Sequence, residues 1–189
     1  FKMKITQLTD KIWKFSGDSN IYFLNFNTKI LIDAGNAIDK LSYKKEISKV
    51  INLDKIKMII FTHLHYDHIG NVDLFKNAKF YASKEAIEDY NKNPFGTILN
   101  SEILEEFSQI KLCPVTDFEG LKIISTPGHS RGSISIWYEK EKILFTGDTV
   151  FDNCYGRIDL PTSVPEKMDK SIEKLNNYKH EILAPGHDY

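Results

Sequence analysis

Short apolar runs, each followed by a polar turn, recur along the chain and predict a protein with many β-strands. Residues 21–26 and 29–32 are two such runs separated by a short polar break, which predicts a β-hairpin. Residues 133–138 alternate between apolar and polar positions, as a strand with one buried face does. The other predicted strands cover residues 57–61, 79–82, 121–125, 142–145 and 181–184.

Helical spacing of apolar residues is found between these strands. Residues 41–51 and 165–178 carry apolar side chains at that spacing, which predicts two surface helices. Ser83 is a candidate N-cap for a helix that runs to residue 90. The pattern over residues 91–109 is less clear and favours a helix only after Pro94. Because helices and strands do not alternate strictly, the order favours a layered α/β or α+β sandwich over a doubly wound sheet.

The composition is that of one globular domain. The chain has 189 residues, 41% of them hydrophobic and 12% aromatic, so the material for a core is ample. We find no linker and no repeat, and we expect a single domain over residues 1–189. The formal charge of −1 argues against a nucleic-acid binder, which usually has an excess of basic residues.

The ends of the chain and its cysteines bear on where the protein works. The first residues are charged every few positions, and no apolar run approaches the ~20 residues of a membrane span, so we expect neither a signal peptide nor a membrane partner. Two cysteines, Cys113 and Cys154, are too few for a disulfide framework. We therefore expect a cytoplasmic protein that starts naturally at Met3, with Phe1 and Lys2 as additions.

Polar loops with metal-ligand side chains follow four of the predicted strands. The densest is the segment Thr-His-Leu-His-Tyr-Asp-His-Ile-Gly, which contains His63, His65, Asp67 and His68. In extended backbone His63 and His65 point the same way, so they can converge on one point, while the two residues after them can aim at a second point. Imidazole and carboxylate groups suit zinc, manganese or ferrous iron.

Three further loops contribute one candidate ligand each. These are His129 in Thr-Pro-Gly-His-Ser, Asp148 in Thr-Gly-Asp-Thr, and His187 in Pro-Gly-His-Asp-Tyr. Five of the six histidines therefore fall in candidate ligand segments. The sixth, His180, lies in a charged stretch, and we expect it to be solvated.

Taken together, these segments resemble the signatures of the metallo-β-lactamase-fold hydrolases, from Asp33 to His187. The resemblance implies a four-layer αββα sandwich with a site for two divalent metal ions between the sheets. Zinc is the first choice, and iron or manganese are alternatives. The implied ligands are His63, His65 and His129 for one ion, and Asp67, His68 and His187 for the other, with Asp148 bridging both.

The chemistry of these groups agrees with that assignment. One carboxylate has two oxygens and can hold two cations at the ~3.5–4 Å of two-metal hydrolytic sites. Two cations lower the pKa of a shared water towards ~7, so that metal-bound hydroxide can attack a carbonyl group at neutral pH. Asp148 and Asp67 would hold charge and geometry in this reaction. Asp33 resembles the carboxylate that orients a metal ligand in this family, and a simple turn-forming role is an equal alternative.

Single residues help to choose a branch of the superfamily. Many zinc β-lactamases have a cysteine where this chain has Asp148, and flavodiiron proteins have a glutamate where it has His65. The segment from Gly147 to Pro161 is similar to the short, single-domain relatives of glyoxalase II (hydroxyacylglutathione hydrolase). There Arg157 would bind the carboxylate of the thiol carrier, although a surface ion pair is its alternative use.

The resemblance also marks Tyr189, which is similar to the tyrosine that contacts glutathione in glyoxalase II. We expect no C-terminal helical domain of the kind that completes the glutathione site of those enzymes, so the identity of the thiol carrier is left open. We expect a dinuclear metal-dependent hydrolase of small anionic thioesters, with its oligomeric state open. The alternatives are a lactone hydrolase, or a persulfide dioxygenase with one ferrous iron on His63, His129 and Asp148. The aromatic residues that could line a substrate cleft, if not used in packing, are Phe95, Phe107, Phe151 and Tyr155.

Overall fold

The computed structural model describes residues 3–189, which form two β-sheets with helices on their outer faces. The first sheet has seven strands in chain order, of which the first four are antiparallel neighbours and the last four are parallel neighbours. Its strands are β1 (Lys4–Thr9), β2 (Ile12–Ser16), β3 (Asn20–Asn25), β4 (Lys29–Ile32), β5 (Met58–Ile60), β6 (Lys79–Ala82) and β7 (Leu112–Pro114).

The second sheet has four strands in the order β11-β10-β9-β8, and only the pair β10 and β11 is parallel. These strands are β8 (Leu121–Ser125), β9 (Ile134–Tyr138), β10 (Ile143–Gly147) and β11 (Ile182–Pro185). The helices are α1 (Lys40–Ile47), α2 (Tyr66–Ile69), α3 (Lys84–Lys92), α4 (Pro94–Ile98), α5 (Ser101–Phe107) and α6 (Met168–Leu175).

Alternating side chains of the strands build three apolar layers. In β4, Ile30 and Ile32 face the second sheet, whereas Leu31 packs beneath the helices on the other face. In β10, Phe145 faces the first sheet and Leu144 packs towards α6. Because successive strand residues point to opposite faces, a continuous apolar run is what a strand buried on both sides requires. The result is a four-layer αββα sandwich, as the family resemblance implies.

The predicted elements compare well with the observed ones. The hairpin of β3 and β4, the helix capped by Ser83 and the strands of the second sheet are confirmed, with shifts of one or two residues at their ends. The side chain of Ser83 accepts a hydrogen bond from the backbone N–H of Ala86, 3.0 Å away. The ambiguous segment after Pro94 forms two short helices, α4 and α5. Among residues 3–189, none of the helices combines the length and the apolar character needed to cross a bilayer.

Three strands have no counterpart in the sequence prediction. β1 and β2 form an antiparallel pair at one edge of the first sheet, and β7 lies at the opposite edge. β1 is a partly exposed edge strand whose lysine, threonine and glutamine side chains obscure the apolar pattern, and β7 is only three residues long. Ile12 and Phe15 of β2 are nevertheless fully buried.

Candidate metal centre

The seven candidate ligands lie where the two sheets meet, five of them on loops and two, Asp67 and His68, in the short helix α2. Asp33 follows β4 and His63 follows the parallel strand β5, so both lie at one edge of the first sheet. Asp148 and His187 follow β10 and β11, which are also parallel. Backbone bonds tie the loops together: Gly186 N donates to Gly147 O (2.7 Å), and Asn20 N of β3 donates to Gly186 O (2.7 Å).

Gly147 shows why the sequence needs a glycine just before Asp148. Its φ is 51°, a left-handed conformation that side chains disfavour, and a Cβ atom there would lie 2.6 Å from Cβ of Thr62. The close approach lets the loop after β10 lie directly against the loop after β5. Ligands from the two sheets can therefore meet.

Three histidines form one half of the centre, which we call the first triad: His63, His65 and His129. All three are buried, and Nδ1 of His65 lies 2.9 Å from Nε2 of His129. One nitrogen from each ring can be chosen so that the three lie within 4.8 Å of one another. Three imidazoles at this spacing are a set of ligands that zinc accepts.

The second triad consists of Asp67, His68 and His187. Nε2 of His187 lies 3.2 Å from Oδ2 of Asp67 and 3.3 Å from Nε2 of His68. The two histidines are buried, and the hydroxyl of Ser19 fixes the loop by donating to the backbone oxygen of Asp67 (2.5 Å). This group too has one ligand atom per residue within 4.8 Å of the others.

Asp148 lies between the two triads. Its Oδ2 is 3.5 Å from Nε2 of His129 and 3.4 Å from Nε2 of His187, and its Oδ1 is 3.3 Å from Nε2 of His68. One carboxylate therefore reaches ligand atoms of both groups, as a residue shared by two ions must. The structure thus brings together all seven residues that the sequence singled out.

Hydrogen bonds from outside the cluster orient four of the five imidazoles. In each of these rings Nδ1 lies within hydrogen-bond distance of a fixed oxygen that can accept its N–H, so Nε2 is the atom that faces the cluster. The pairs are His63 with Thr62 Oγ1 (3.1 Å), His68 with Asp33 Oδ2 (2.8 Å), His129 with Arg157 O (2.7 Å) and His187 with Asp18 O (2.7 Å). In His65, by contrast, Nδ1 is the atom that faces the cluster, where it lies close to Nε2 of His129.

Asp33 is more than a turn residue. It has a φ of 62° at the end of β4, and its carboxylate accepts hydrogen bonds from Thr62 N (2.8 Å), Thr62 Oγ1 (2.8 Å) and Nδ1 of His68. The carboxylate is buried, so it orients His68 from a fixed position. Of its two alternatives, the orienting role is therefore the one that the geometry favours.

The two triads differ in electrostatics. Burial lowers the pKa of His65 to about 3, and burial together with the charge of His68 also holds the pKa of His63 well below its usual value. Burial opposes the charged form of His187 too, but Asp148 and Asp67 accept hydrogen bonds from it and raise its pKa to about 10. Burial likewise opposes charge on His68, yet the surrounding carboxylates outweigh it and raise the pKa of that ring.

The residues fit metal ions on two grounds. Nε2 of His63 and Oδ1 of Asp148 are buried and have no hydrogen-bond donor among residues 3–189, although unsatisfied buried groups are costly. Five imidazoles and two carboxylates are also a donor set suited to zinc, manganese or iron. The electrostatic field of Asp67 and Asp148 favours positive charge at the second triad, which a cation can supply in place of protons.

A cleft of about 290 Å³ opens over the cluster. Asp67, Asp148 and three of the histidines form part of its lining, and Arg157 lies on its wall. Its other walls are mainly apolar or aromatic, with contributions from Tyr66, Leu99, Phe151, Tyr155, Leu160 and Tyr189. A metal-binding floor beneath apolar walls is typical of small-molecule sites.

The remaining candidates fall in different places. Arg157 is exposed and forms a bidentate ion pair with Asp159, with both N···O distances 3.0 Å. Tyr189 stacks on the ring of His187, with centroids 5.2 Å apart, and is 68% exposed. His180 is exposed, as expected.

Two aromatic residues proposed as cleft walls do not line the cleft. Phe107 is buried in the core beneath α5, and Phe95 is exposed on α4. The packing alternative explains Phe107, because its ring contacts those of Phe61 and Tyr90. The spacing of apolar residues in the sequence does not tell whether an aromatic side chain packs in the core or lines the cleft.

Sequence reasoning missed several groups that organise the site. Thr62 holds both Asp33 and His63, and its position next to the first histidine was the available signal. The carbonyl oxygens of Asp18 and Arg157 have no sequence signature, because every residue has one. Leu99 lines the cleft from a segment whose structure the pattern left ambiguous.

Comparison with known proteins agrees with this geometry. Residues 16–187 match the family model described as "Metallo-beta-lactamase superfamily". A probable metallo-hydrolase of Streptococcus pyogenes serotype M6 is 30% identical over 206 residues, covering 98% of this chain and 84% of that protein. A hydroxyacylglutathione hydrolase of Francisella tularensis subsp. novicida is 28% identical over 181 residues, covering 89% of this chain and 66% of that protein.

A solved structure shares the fold. The crystal structure of TTHA1623 in a di-iron-bound form superposes with a TM-score of 0.71 at 23% identity, covering 90% of this chain and 88% of that one. The family match spans both triads and Asp148, and the layered architecture agrees with that of this neighbour. The chain belongs to the metallo-β-lactamase superfamily and is a metallo-hydrolase whose histidine and aspartate cluster is suited to metal ions.

Proposed function

We propose that this metallo-hydrolase cleaves small thioesters that carry an anionic group. The observation that carries the proposal is that one cleft has five of the seven cluster residues in its lining and the guanidinium-bearing Arg157 on its wall. The similarity to a hydroxyacylglutathione hydrolase supports this substrate class. The guanidinium fork supports an anionic substrate, because it matches a carboxylate well.

Each triad would hold one divalent ion, with Asp148 shared between them, and zinc is the ion we propose, with iron or manganese as alternatives. The bound ions would supply Lewis acidity for the carbonyl group and lower the pKa of water in the cleft. The three neutral imidazoles of the first triad add no charge of their own. The carboxylates of Asp67 and Asp148 offset the charge of the ions.

Asp67 is the residue we assign to proton handling. Its carboxylate is only partly buried and lines the cleft, whereas Asp148 is buried more deeply between the triads. Burial alone would raise the pKa of Asp67, but His68 and His187 outweigh that effect and lower it, so the group is ionised at neutral pH. An ionised carboxylate in the cleft can orient water and accept its proton.

Arg157 would bind the anionic end of the substrate. Its ion pair with Asp159 is fully exposed to solvent, where such pairs contribute little. A substrate carboxylate can therefore displace Asp159 from the guanidinium group. The backbone oxygen of Arg157 meanwhile accepts from His129, which links the substrate-binding loop to the first triad.

A direct assay of the metal-loaded protein tests the proposed function. Thioesters of glutathione should be hydrolysed, and a chelator should abolish the reaction until metal is restored. Oxygen uptake on glutathione persulfide with one iron per chain would contradict the proposal. Turnover restricted to lactones would also contradict it.

The role of Arg157 can be tested by measuring how its substitution changes KM. Arg157→Ala should raise KM for anionic thioesters about tenfold with little change in kcat, because the contact binds ground state and transition state alike. Asp159→Asn is the matched variant, and it should lower KM because it frees the guanidinium group. A neutral thioester should respond to neither change. An unaltered KM for anionic thioesters in Arg157→Ala would remove Arg157 from the binding site.

A further inference from the structure

Leu99 has an unusual backbone conformation at the junction of α4 and α5. Its φ is 67° and its ψ is 14°, the left-handed region in which glycine or asparagine is favoured at a helix C-terminus. Its N–H donates to Phe95 O (2.8 Å), and the next residue, Asn100, caps α5 through its side chain. The turn is therefore fixed by two helix ends, and a leucine in it is conformationally costly.

The side chain of Leu99 is not part of the core. Ile98 and Ile103 on either side are buried, and the partly buried Leu104 packs against the core cluster beneath the first sheet. Leu99 is partly exposed and belongs to none of the apolar clusters of residues 3–189. Core packing therefore does not explain why a leucine occupies this position.

Leu99 lines the cleft over the metal cluster instead. Of the residues described between 69 and 128, it is the one that does so, which means that α3, α4 and α5 reach the cleft through this single side chain. Arg157 lies on the loop after β10, which belongs to the other sheet. Leu99 is therefore the aliphatic wall residue that the segments of the first sheet supply, whereas Leu160, the other leucine of the wall, follows Arg157 in the loop after β10.

Building on the proposed function, we propose that Leu99 is a specificity-determining residue that contacts the acyl chain of the thioester. The carbonyl group must lie at the metal cluster, and Arg157 binds the anionic thiol carrier. The acyl group is then the part that remains for an aliphatic wall. Contact with Leu99 favours aliphatic acyl groups over small or polar ones, because burying apolar surface is favourable.

A binding series with alkyl hydroxamates tests this inference without requiring turnover. A hydroxamate chelates the metal ions and carries its alkyl chain where a substrate has its acyl chain. Binding of each hydroxamate, from acetohydroxamate to hexanohydroxamate, to the metal-loaded wild-type protein is measured by calorimetry. The affinity should rise about threefold with each added methylene group. In Leu99→Asn the gain should fall below about twofold, while acetohydroxamate binds as in the wild type.

Two variants serve as controls. Leu99→Met keeps an apolar side chain of similar size and should restore most of the chain-length effect. Lys142, with a φ of 49°, is another left-handed residue, on the surface after β9 and outside the cleft, so Lys142→Asn should leave the hydroxamate series unchanged. Leu99→Asn should not lower the Tm, because asparagine tolerates the left-handed conformation.

Three results would overturn the inference. These are the absence of a chain-length effect in the wild type, an equal effect in Leu99→Asn, and a clear fall in the Tm of that variant, which would assign the side chain to packing. Failure of the proposed function is recognised separately, since it would appear as absent thioester turnover in a protein that still binds hydroxamates with the expected chain-length series.

Discussion

The two triads contain the same number of ligands yet differ in how they would receive a metal ion. In the first triad burial keeps His63 and His65 neutral, with pKa values below the usual range. In the second, neighbouring carboxylates raise the pKa of His187 to about 10 and also raise that of His68, which favours protonated rings in the metal-free protein. The first triad is therefore ready for a cation, whereas the second must release protons to bind one.

The difference arises from where the carboxylates lie. Asp67 belongs to the second triad, Asp33 supports His68, and Asp148 contacts both rings of that triad but only His129 of the first. The two halves thus share the carboxylate of Asp148. Thr62 also connects their supports, because its hydroxyl donates to Asp33 and lies 3.1 Å from Nδ1 of His63. Variants of single residues should therefore act on both halves or on one, depending on which contacts they remove.

The largest effect should follow from Asp148→Ala, because this residue contacts both triads. We expect metal content to fall at both positions and turnover to drop by about 10³-fold or more. Elemental analysis and kcat/KM measurements check this. Asp152→Ala, an exposed change in the same loop, is the matched control and should behave as the wild type. Full metal loading with an unchanged rate would refute the shared role of Asp148.

An intermediate effect should follow from Asp33→Asn, which acts directly on the second triad and reaches the first only through Thr62. The amide can no longer accept from Thr62 and His68 as the carboxylate does, so His68 loses its fixed orientation. Loss of such an outer contact should weaken the second ion about 10- to 100-fold and the first clearly less, because His63 contacts Thr62 and not Asp33 itself. Competitive metal titration measures both constants. Equal weakening of both ions would show that Asp33 supports the fold in general rather than His68.

The smallest effect should be a difference in pH dependence. His187 has a pKa near 10 without metal, so a cation must displace its proton at pH 7, and apparent affinity of the second triad should rise about tenfold per pH unit for each proton displaced. The imidazoles of the first triad are already neutral, so its metal affinity should stay constant from pH 6.5 to 8. Titrations at three pH values test this, and parallel slopes for both ions would contradict the comparison.

Much of this arrangement can be predicted from the sequence, for reasons visible in individual residues. Runs buried on both faces, as in β5 and β10, identify the inner strands, and ligands such as His63 and Asp148 follow within a few residues of such runs. The partners of the imidazoles are harder to predict, since backbone oxygens such as that of Asp18 depend on tertiary contacts. The left-handed turn at Leu99 is also hard to predict, because leucine is not a residue type that favours a positive φ.

Anomalous diffraction from crystals of the metal-loaded protein tests the central claim most directly. Data at the absorption edge of the bound metal should show two peaks per chain, one within the first triad and one within the second, with Asp148 between them. A single peak, or peaks away from these residues, would contradict the account of a shared two-ion centre.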